Sequence, residues 1–255
     1  MGILNVTPDS FSDGGKYQHL DAALKHAGEM IKDGANILDV GGESTRPGHT
    51  QITESEEIER TAPVIERLRQ EFDIPISIDT YKSTVAEAAL MAGADLVNDI
   101  WGLKYDNRMA SLISRYDAAC CLMHNRTEAI YQDFLADFMM DMKECIRIAK
   151  EASIPEDRII LDPGVGFGKT YEMNLTIIRE IGRMRELGYP ILLGTSRKSV
   201  IGLTLDLPAD QREEGTLVTT VYGMMNGCSF VRVHDVKANR RAIQMLEAIM
   251  EEKHG

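Results

Sequence analysis

The chain has 255 residues, 44% of them hydrophobic, and 40 acidic against 28 basic side chains give it a formal net charge of -12. That length suits a single α/β domain, and the acidity argues against a nucleic-acid or acidic-membrane surface, which needs a continuous basic patch. The longest apolar runs, such as Ala118 to Met123, are far too short to span a bilayer.

The chain opens on the apolar run Gly2-Ile3-Leu4-Asn5-Val6 with no positively charged leader, which points to a cytoplasmic protein. Strands are expected near residues 2–6, 36–40, 75–79, 95–99, 118–123, 158–162, 190–194 and 229–234, with helical patterns between them. Residues 21–33 place Ala23, Ala27, Met30 and Ile31 on one face, and residues 130–149 carry Ile130, Phe134, Phe138, Met142 and Ile146 at helical spacing. Thr53 followed by Glu56 is a capping-box pattern opening residues 53–71, where Pro63 should kink or divide the helix. Cys120, Cys121, Cys145 and Cys228 form no CxxC or Cys/His cluster and read as reduced structural thiols.

Three units share one pattern: Gly34-Ala35-Asn36-Ile37-Leu38-Asp39, Gly93-Ala94-Asp95-Leu96-Val97-Asn98 and Gly227-Cys228-Ser229-Phe230-Val231-Arg232. Each reads as helix stop, turn, buried strand and polar tip. Successive tips lie 19 (Asp79 to Asn98) to 40 residues apart (Asp39 to Asp79), enough for a helix every time, and no Pro/Ser-rich linker interrupts the series. The expectation is a (β/α)8 TIM barrel, a single domain over residues 1–255.

The strand ends are polar throughout: Asn5, Asp39, Asp79, Asn98, Met123-His124, Asp162, Gly194-Thr195-Ser196, then Arg232 and His234. In a parallel barrel those ends build the active site. Asp79, Asn98 and Asp162 could each cap a helix; together in one mouth they match the ring NH and amino groups of an aminopyrimidinone edge. The loop Thr7 to Gly15 reads either as a surface turn or as a lid. Gly41 to Gly48 combines glycines with the donors Ser44, Thr45 and Arg46. The run Asp162 to Thr170 is not a phosphate-binding P-loop, because that motif's first glycine would fall at Pro163; it reads as a glycine-rich wall. Ser196-Arg197-Lys198-Ser199 and Arg232-Val233-His234 follow the last two strands, where barrels hold anions. Period two puts Arg232 and His234 on one side of their strand, and Ser199 could cap a short helix.

Five segments in order, Asn5 to Gly15, Asp39 to Gly48, Asp162 to Gly168, Ser196 to Ser199 and Arg232 to Asp235, closely resemble the dihydropteroate synthase family of folate-pathway enzymes. The resemblance implies condensation of 6-hydroxymethyl-7,8-dihydropterin diphosphate with 4-aminobenzoate, assisted by magnesium, in a homodimer. It implies that Asp79, Asn98, Met123, Asp162, Phe167 and Lys198 line the pterin pocket. Thr45, Arg232 and His234 would bind the diphosphate, with Arg232 also able to stack over the pterin, and Asn5 would ligate the metal. Asp162, Lys198, Arg232 and His234 would carry the catalysis. Phe11, Arg46 and Pro47 would enclose 4-aminobenzoate, with Ser199 near its carboxylate, and sulfonamides would compete there. Family members carry several residues ahead of the first strand, often as a hairpin over the barrel floor, whereas this sequence reaches the strand at once. The rival readings are a pterin-binding methyltetrahydrofolate methyltransferase domain, which has no use for a diphosphate site, and an aldolase-type barrel using Lys198 as a Schiff base.

Overall fold

In a computed structural model that describes residues 1–7, 16–43 and 51–250, apolar strands of two to five residues alternate with helices along the chain. The order is β1 (Gly2–Asn5), α1 (Lys16–Lys32), β2 (Leu38–Gly41), α2 (Glu54–Glu71), β3 (Ile76–Asp79), α3 (Ser83–Met91), β4 (Leu96–Asp99) and α4 (Met109–Arg115). There follow β5 (Ala119–Met123), α5 (Phe134–Glu151), β6 (Ile159–Asp162), α6 (Tyr171–Arg179), β7 (Leu192–Leu193), α7 (Ser199–Leu205), α8 (Glu213–Met225), β8 (Phe230–Val231) and α9 (Val236–Met250). All ladders are parallel, β1 to β6 in sequence order and β7 with β8. Parallel bridges Leu161–Ile191 and Gly2–Val233 join the two sets. Ile3 N–H donates to Val233 O at 3.0 Å and Leu161 N–H to Pro190 O at 2.9 Å, so the sheet closes into the eight-stranded barrel expected from the sequence.

Side-chain alternation then sorts every strand into two faces. Leu4, Leu38, Val40, Ile76, Ile78, Val97, Cys120, Leu122, Ile159, Leu161, Leu193 and Val231 pack with the helices in the main core. The alternate positions form a separate cluster inside the barrel, Leu96, Cys121, Ile160 and Leu192 with Met1, Ala119 and Phe230. Two residues further along the same parity lie Asn98, Met123, Asp162, Gly194 and Arg232. The register places Asn5 beside Gly41, Gly41 beside Asp79 and Asp79 beside Asn98. The polar tips therefore form the upper layer of the barrel interior.

The turns back into the strands reuse one cap. At Gly34, Gly93 and Gly227, with φ of 99°, 109° and 93°, the glycine N–H bonds three residues back and the next N–H five residues back. Asp117 and Ser153 make the same two bonds at φ of 50° and 63°, without glycine. Thr53 caps α2 by accepting from Glu56 N–H at 3.2 Å, as its spacing predicts. Pro63 does not divide that helix: Glu59, whose carbonyl loses its helical donor, is exposed to water. The stripe expected from Ile130 begins later, because Asp133 accepts Ala136 N–H at 3.1 Å and starts α5 at Phe134; Ile130 lies outside it, 68% exposed.

Candidate active site

Arg232, just past β8, crosses the barrel mouth to two carboxylates. Its Nε donates to Asp39 Oδ2 at 2.5 Å and its Nη2 to Asp79 Oδ2 at 2.7 Å. Asn98 Nδ2 donates to the same Asp39 oxygen at 3.3 Å. Asp39 and Asp79 each retain a buried oxygen, Oδ1, with no hydrogen-bond partner among the described residues. A buried, unpaired acceptor is costly in isolation. Burial pushes the Asp79 and Asp162 carboxyls above the usual range, opposed by the nearby cations Arg232 and Lys198. Asp39, with no exposed surface, is the buttress that holds Arg232.

The glycine-rich run supplies the opposite wall. Asp162 Oδ1 accepts Gly164 N–H at 2.7 Å, and Lys198 Nζ donates to Val165 O at 2.5 Å while lying 4.8 Å from the centre of the Phe167 ring. A side chain at Gly194 would meet Asp162 Oδ2, Lys198 Nζ and Arg232 Cβ within 4 Å, so these three groups converge on one point of the barrel rim. Burial lowers the Lys198 ammonium to about 8. Three carboxylates, Asp39, Asp79 and Asp162, face two cations, Arg232 and Lys198. Gly164 is obligatory: at φ 66° its missing Cβ would sit 1.9 Å from His124 O. Met123 packs with Tyr81 and Ile100, against Trp101 and Phe167, as an apolar side of the same mouth.

His234 is held by its Nδ1 edge, 2.9 Å from Ser196 Oγ, which also accepts the His234 backbone N–H at 3.2 Å. Ser199 is exposed and is the first residue of α7, not its cap; Lys198 occupies the cap position and makes no side-chain cap bond. Asn5 ends β1 with an exposed side chain whose Oδ1 faces Gly41. Phe11, Thr45, Arg46 and Pro47 lie outside the described residues. Asp99, beside the strand tip Asn98, is a local cap: its oxygens accept Trp101 and Leu103 N–H, each at 2.8 Å.

Several buried groups at this end escape sequence reasoning. Lys82 Nζ donates to Glu43 Oε2 at 2.6 Å, Glu57 Oε2 at 2.7 Å and Ile52 O at 2.9 Å, and Tyr81 O–H donates to Glu43 Oε1 at 2.8 Å. Asn174 Oδ1 accepts Gly166 N–H at 2.6 Å. Lys169 and His124 join beneath the glycine-rich wall at 2.8 Å. Lys82, Tyr81 and Lys169 take partners from another unit, and spacing along the chain carries no trace of that; Asn174 bonds within its own unit, and His124 is itself one of the polar strand ends.

Residues 1–234 match the pterin binding enzyme family. The chain is 58% identical to a dihydropteroate synthase of Clostridium beijerinckii, over 98% of this chain and 93% of the relative. Among solved structures, a dihydropteroate synthase from Clostridium difficile determined in the presence of pteroic acid superposes with a TM-score of 0.96 at 52% identity, over 98% of this chain and 95% of that one. A Xanthomonas albilineans dihydropteroate synthase with 4-aminobenzoic acid gives 0.94 at 40% identity, over 98% and 92%. Full-length likeness in sequence and fold, on a barrel whose mouth gathers the acceptors and cations described above, makes the chain a member of the pterin-binding enzyme family and a transferase of its dihydropteroate synthase group, which joins a dihydropterin diphosphate to 4-aminobenzoate with release of diphosphate.

Proposed function

We propose that Asp79, Asn98, Asp162 and Lys198 hold the dihydropterin ring, with Met123 and Phe167 against its apolar surface. The observation that carries this is the unpaired, buried Oδ1 of Asp79, whose other oxygen accepts from Arg232, the residue that meets Asp162 and Lys198 around Gly194. An aminopyrimidinone edge presents adjacent N–H donors, which carboxylates bind through charge-assisted hydrogen bonds. When the bond from the methylene carbon to diphosphate breaks, the cation left behind delocalises into the ring. Three carboxylates against two cations leave the mouth one negative charge when all are ionised, which favours that cation over the neutral ring. The aniline nitrogen then forms the new C–N bond and sheds a proton to water; a strong base is not required.

His234 and Thr45 hold the departing diphosphate, and Arg232 lies between the two subsites, its guanidinium anchored by Asp39 and Asp79. Asn5 is the one assigned metal ligand. Among the described residues no group of three His, Cys, Asp or Glu side chains is placed to hold a metal, so magnesium would be held by the Asn5 side-chain oxygen together with the substrate's diphosphate. Held there, magnesium would supply positive charge to offset that developing on the leaving diphosphate. Phe11, Arg46, Pro47 and Ser199 serve 4-aminobenzoate, and a sulfonamide competes with it. The exposed apolar side chains Leu175, Leu203, Leu205, Val218, Tyr222 and Met225 on α6, α7 and α8 support a homodimer through those helices. The enzyme works in the cytoplasm; among the described residues no helix is long and apolar enough to cross a membrane.

The deciding assay is diphosphate release, which should require magnesium, the dihydropterin diphosphate and 4-aminobenzoate together. Release without 4-aminobenzoate at the same rate, or borohydride trapping of a carbonyl substrate on Lys198, would refute the assignment. Sulfonamide inhibition should be competitive with 4-aminobenzoate in initial-rate kinetics, and noncompetitive inhibition would count against the shared subsite.

A further inference from the structure

Lys169 and His124 take no part in the chemistry above, yet both are held inside the catalytic end of the barrel. Lys169 Nζ meets three acceptors: Gly164 O at 2.9 Å, Phe167 O at 2.9 Å and His124 Nδ1 at 2.8 Å. Burial lowers the Lys169 ammonium to about 7; in its charged form it has three protons to give and no lone pair, so all three are placed and Nδ1 of His124 is an acceptor. The imidazole proton then sits on Nε2 and donates to Asp141 Oδ2 at 3.0 Å, an oxygen that also accepts from Arg126 Nε at 2.7 Å. His124 has no exposed surface and packs on Phe138 with ring centres 4.7 Å apart. Burial drives its imidazolium form out, to about 4, so the ring is neutral as this pattern needs.

The chain of contacts runs from α5 through the tip of β5 to the loop after β6. That loop supplies the Gly164 N–H to Asp162, the Val165 carbonyl to Lys198 and the Phe167 ring beside Lys198. We infer that Lys169 is a positioning residue for the pterin subsite: pinned by His124 and Asp141, it fixes the Gly164 and Phe167 carbonyls and so the loop that orients Asp162 and Lys198. This rests on the assignment of Asp162 and Lys198 to the pterin. Lys169 touches neither reactant. Its effect is geometric, and displacement of a binding group by about 1 Å is enough to cost on the order of 100-fold in rate.

The test compares wild type with Lys169→Met, Lys169→Arg and Asp141→Asn. Affinity for the dihydropterin diphosphate is measured by calorimetry without 4-aminobenzoate, together with kcat and both KM values. Lys169→Met is expected to weaken pterin binding roughly 10-fold or more and to lower kcat, with the KM for 4-aminobenzoate within about threefold of wild type. Lys169→Arg recovers part of the loss, and Asp141→Asn gives a smaller change in the same direction. A folded Lys169→Met enzyme with pterin affinity and kcat within about twofold of wild type, or with both KM values raised alike, would overturn the inference. Should Lys169→Met fail to fold, Asp141→Asn decides, and unchanged pterin affinity there overturns it. A wild-type enzyme that makes no dihydropteroate would instead overturn the functional reading itself.

Discussion

Replacing Lys82 by methionine keeps the side chain's volume and removes the charge that Glu43 and Glu57 share. Lys82, Glu43 and Glu57 are 8%, 5% and 1% exposed, with Nζ 2.6 and 2.7 Å from the two carboxylates, so both acids lose their cation inside the protein. Glu43 keeps the Tyr81 hydroxyl at 2.8 Å and the Ile52 N–H at 3.0 Å. Glu57 is the acid that must respond, and burial already raises its carboxyl above the usual range with Lys82 in place. Breaking a buried pair costs about 3–5 kcal/mol. Protonation sets a ceiling on that cost. From an unfolded pKa of about 4.3, neutralising one carboxyl at pH 7 costs about 3.7 kcal/mol, and at pH 5 about 1 kcal/mol.

The sign follows from linkage. A carboxyl whose folded pKa lies above its unfolded value binds more protons in the native state, so the variant loses stability as pH rises above about 4.3. Urea unfolding of wild type and Lys82→Met at pH 5, 6 and 7 should therefore give a difference that grows with pH by at most about 1.4 kcal/mol per unit, because wild type shares that slope until the pH passes its own raised Glu57 value. Adding Glu57→Gln to the variant should recover more than half of the loss at pH 7. A difference that is flat with pH, or a double variant as unstable as the single one, would refute this account of the cluster.

Gly164→Ala should abolish binding of the pterin substrate and lower the melting temperature sharply, whereas Gly188→Ala, at φ 82° with open space around it, should cost only about 1 kcal/mol; equal costs in thermal melts would show that strain rather than collision governs both. Asp162→Asn keeps an acceptor for Gly164 N–H but loses the anion, so kcat/KM should fall about 100-fold with the melting temperature unchanged; near-normal turnover would remove Asp162 from the mechanism. Deprotonation of Lys198 near 8 should raise the KM for the pterin substrate in alkaline solution, and Lys198→Arg should move that limb upward; a KM profile identical in the two enzymes would exclude Lys198 as its source. Ser153→Gly should stabilise by about 1 kcal/mol in urea melts by relieving a left-handed residue, while Asp117→Gly should gain less because Asp117 also pairs with Arg158 at 3.1 Å.

The barrel was legible because two local signals repeat along the chain. Glycine stops at 34, 93 and 227 mark where helices end, and period two then carries each run from an apolar floor to a polar tip on the same face, as from Leu96 to Asn98 and from Ile160 to Asp162. Asp117 and Ser153 adopt the same cap with residues that tolerate it poorly, which is why those two turns gave no glycine signal. Arg232 shows where such reasoning stops. Its place after the last strand puts it near an anion, and the family resemblance gives it to the diphosphate with the ability to stack over the pterin, but spacing along the chain does not show which carboxylates hold it. Closure of β8 against β1 through Gly2–Val233 instead brings its guanidinium onto Asp39 and Asp79, two and three units away around the ring, and a buried cation is held wherever paired carboxylates meet it. On the proposed assignment Arg232 would serve both subsites: its guanidinium offsets the charge of Asp39 and Asp79 and so lowers the repulsion that would meet a substrate arriving as an anion.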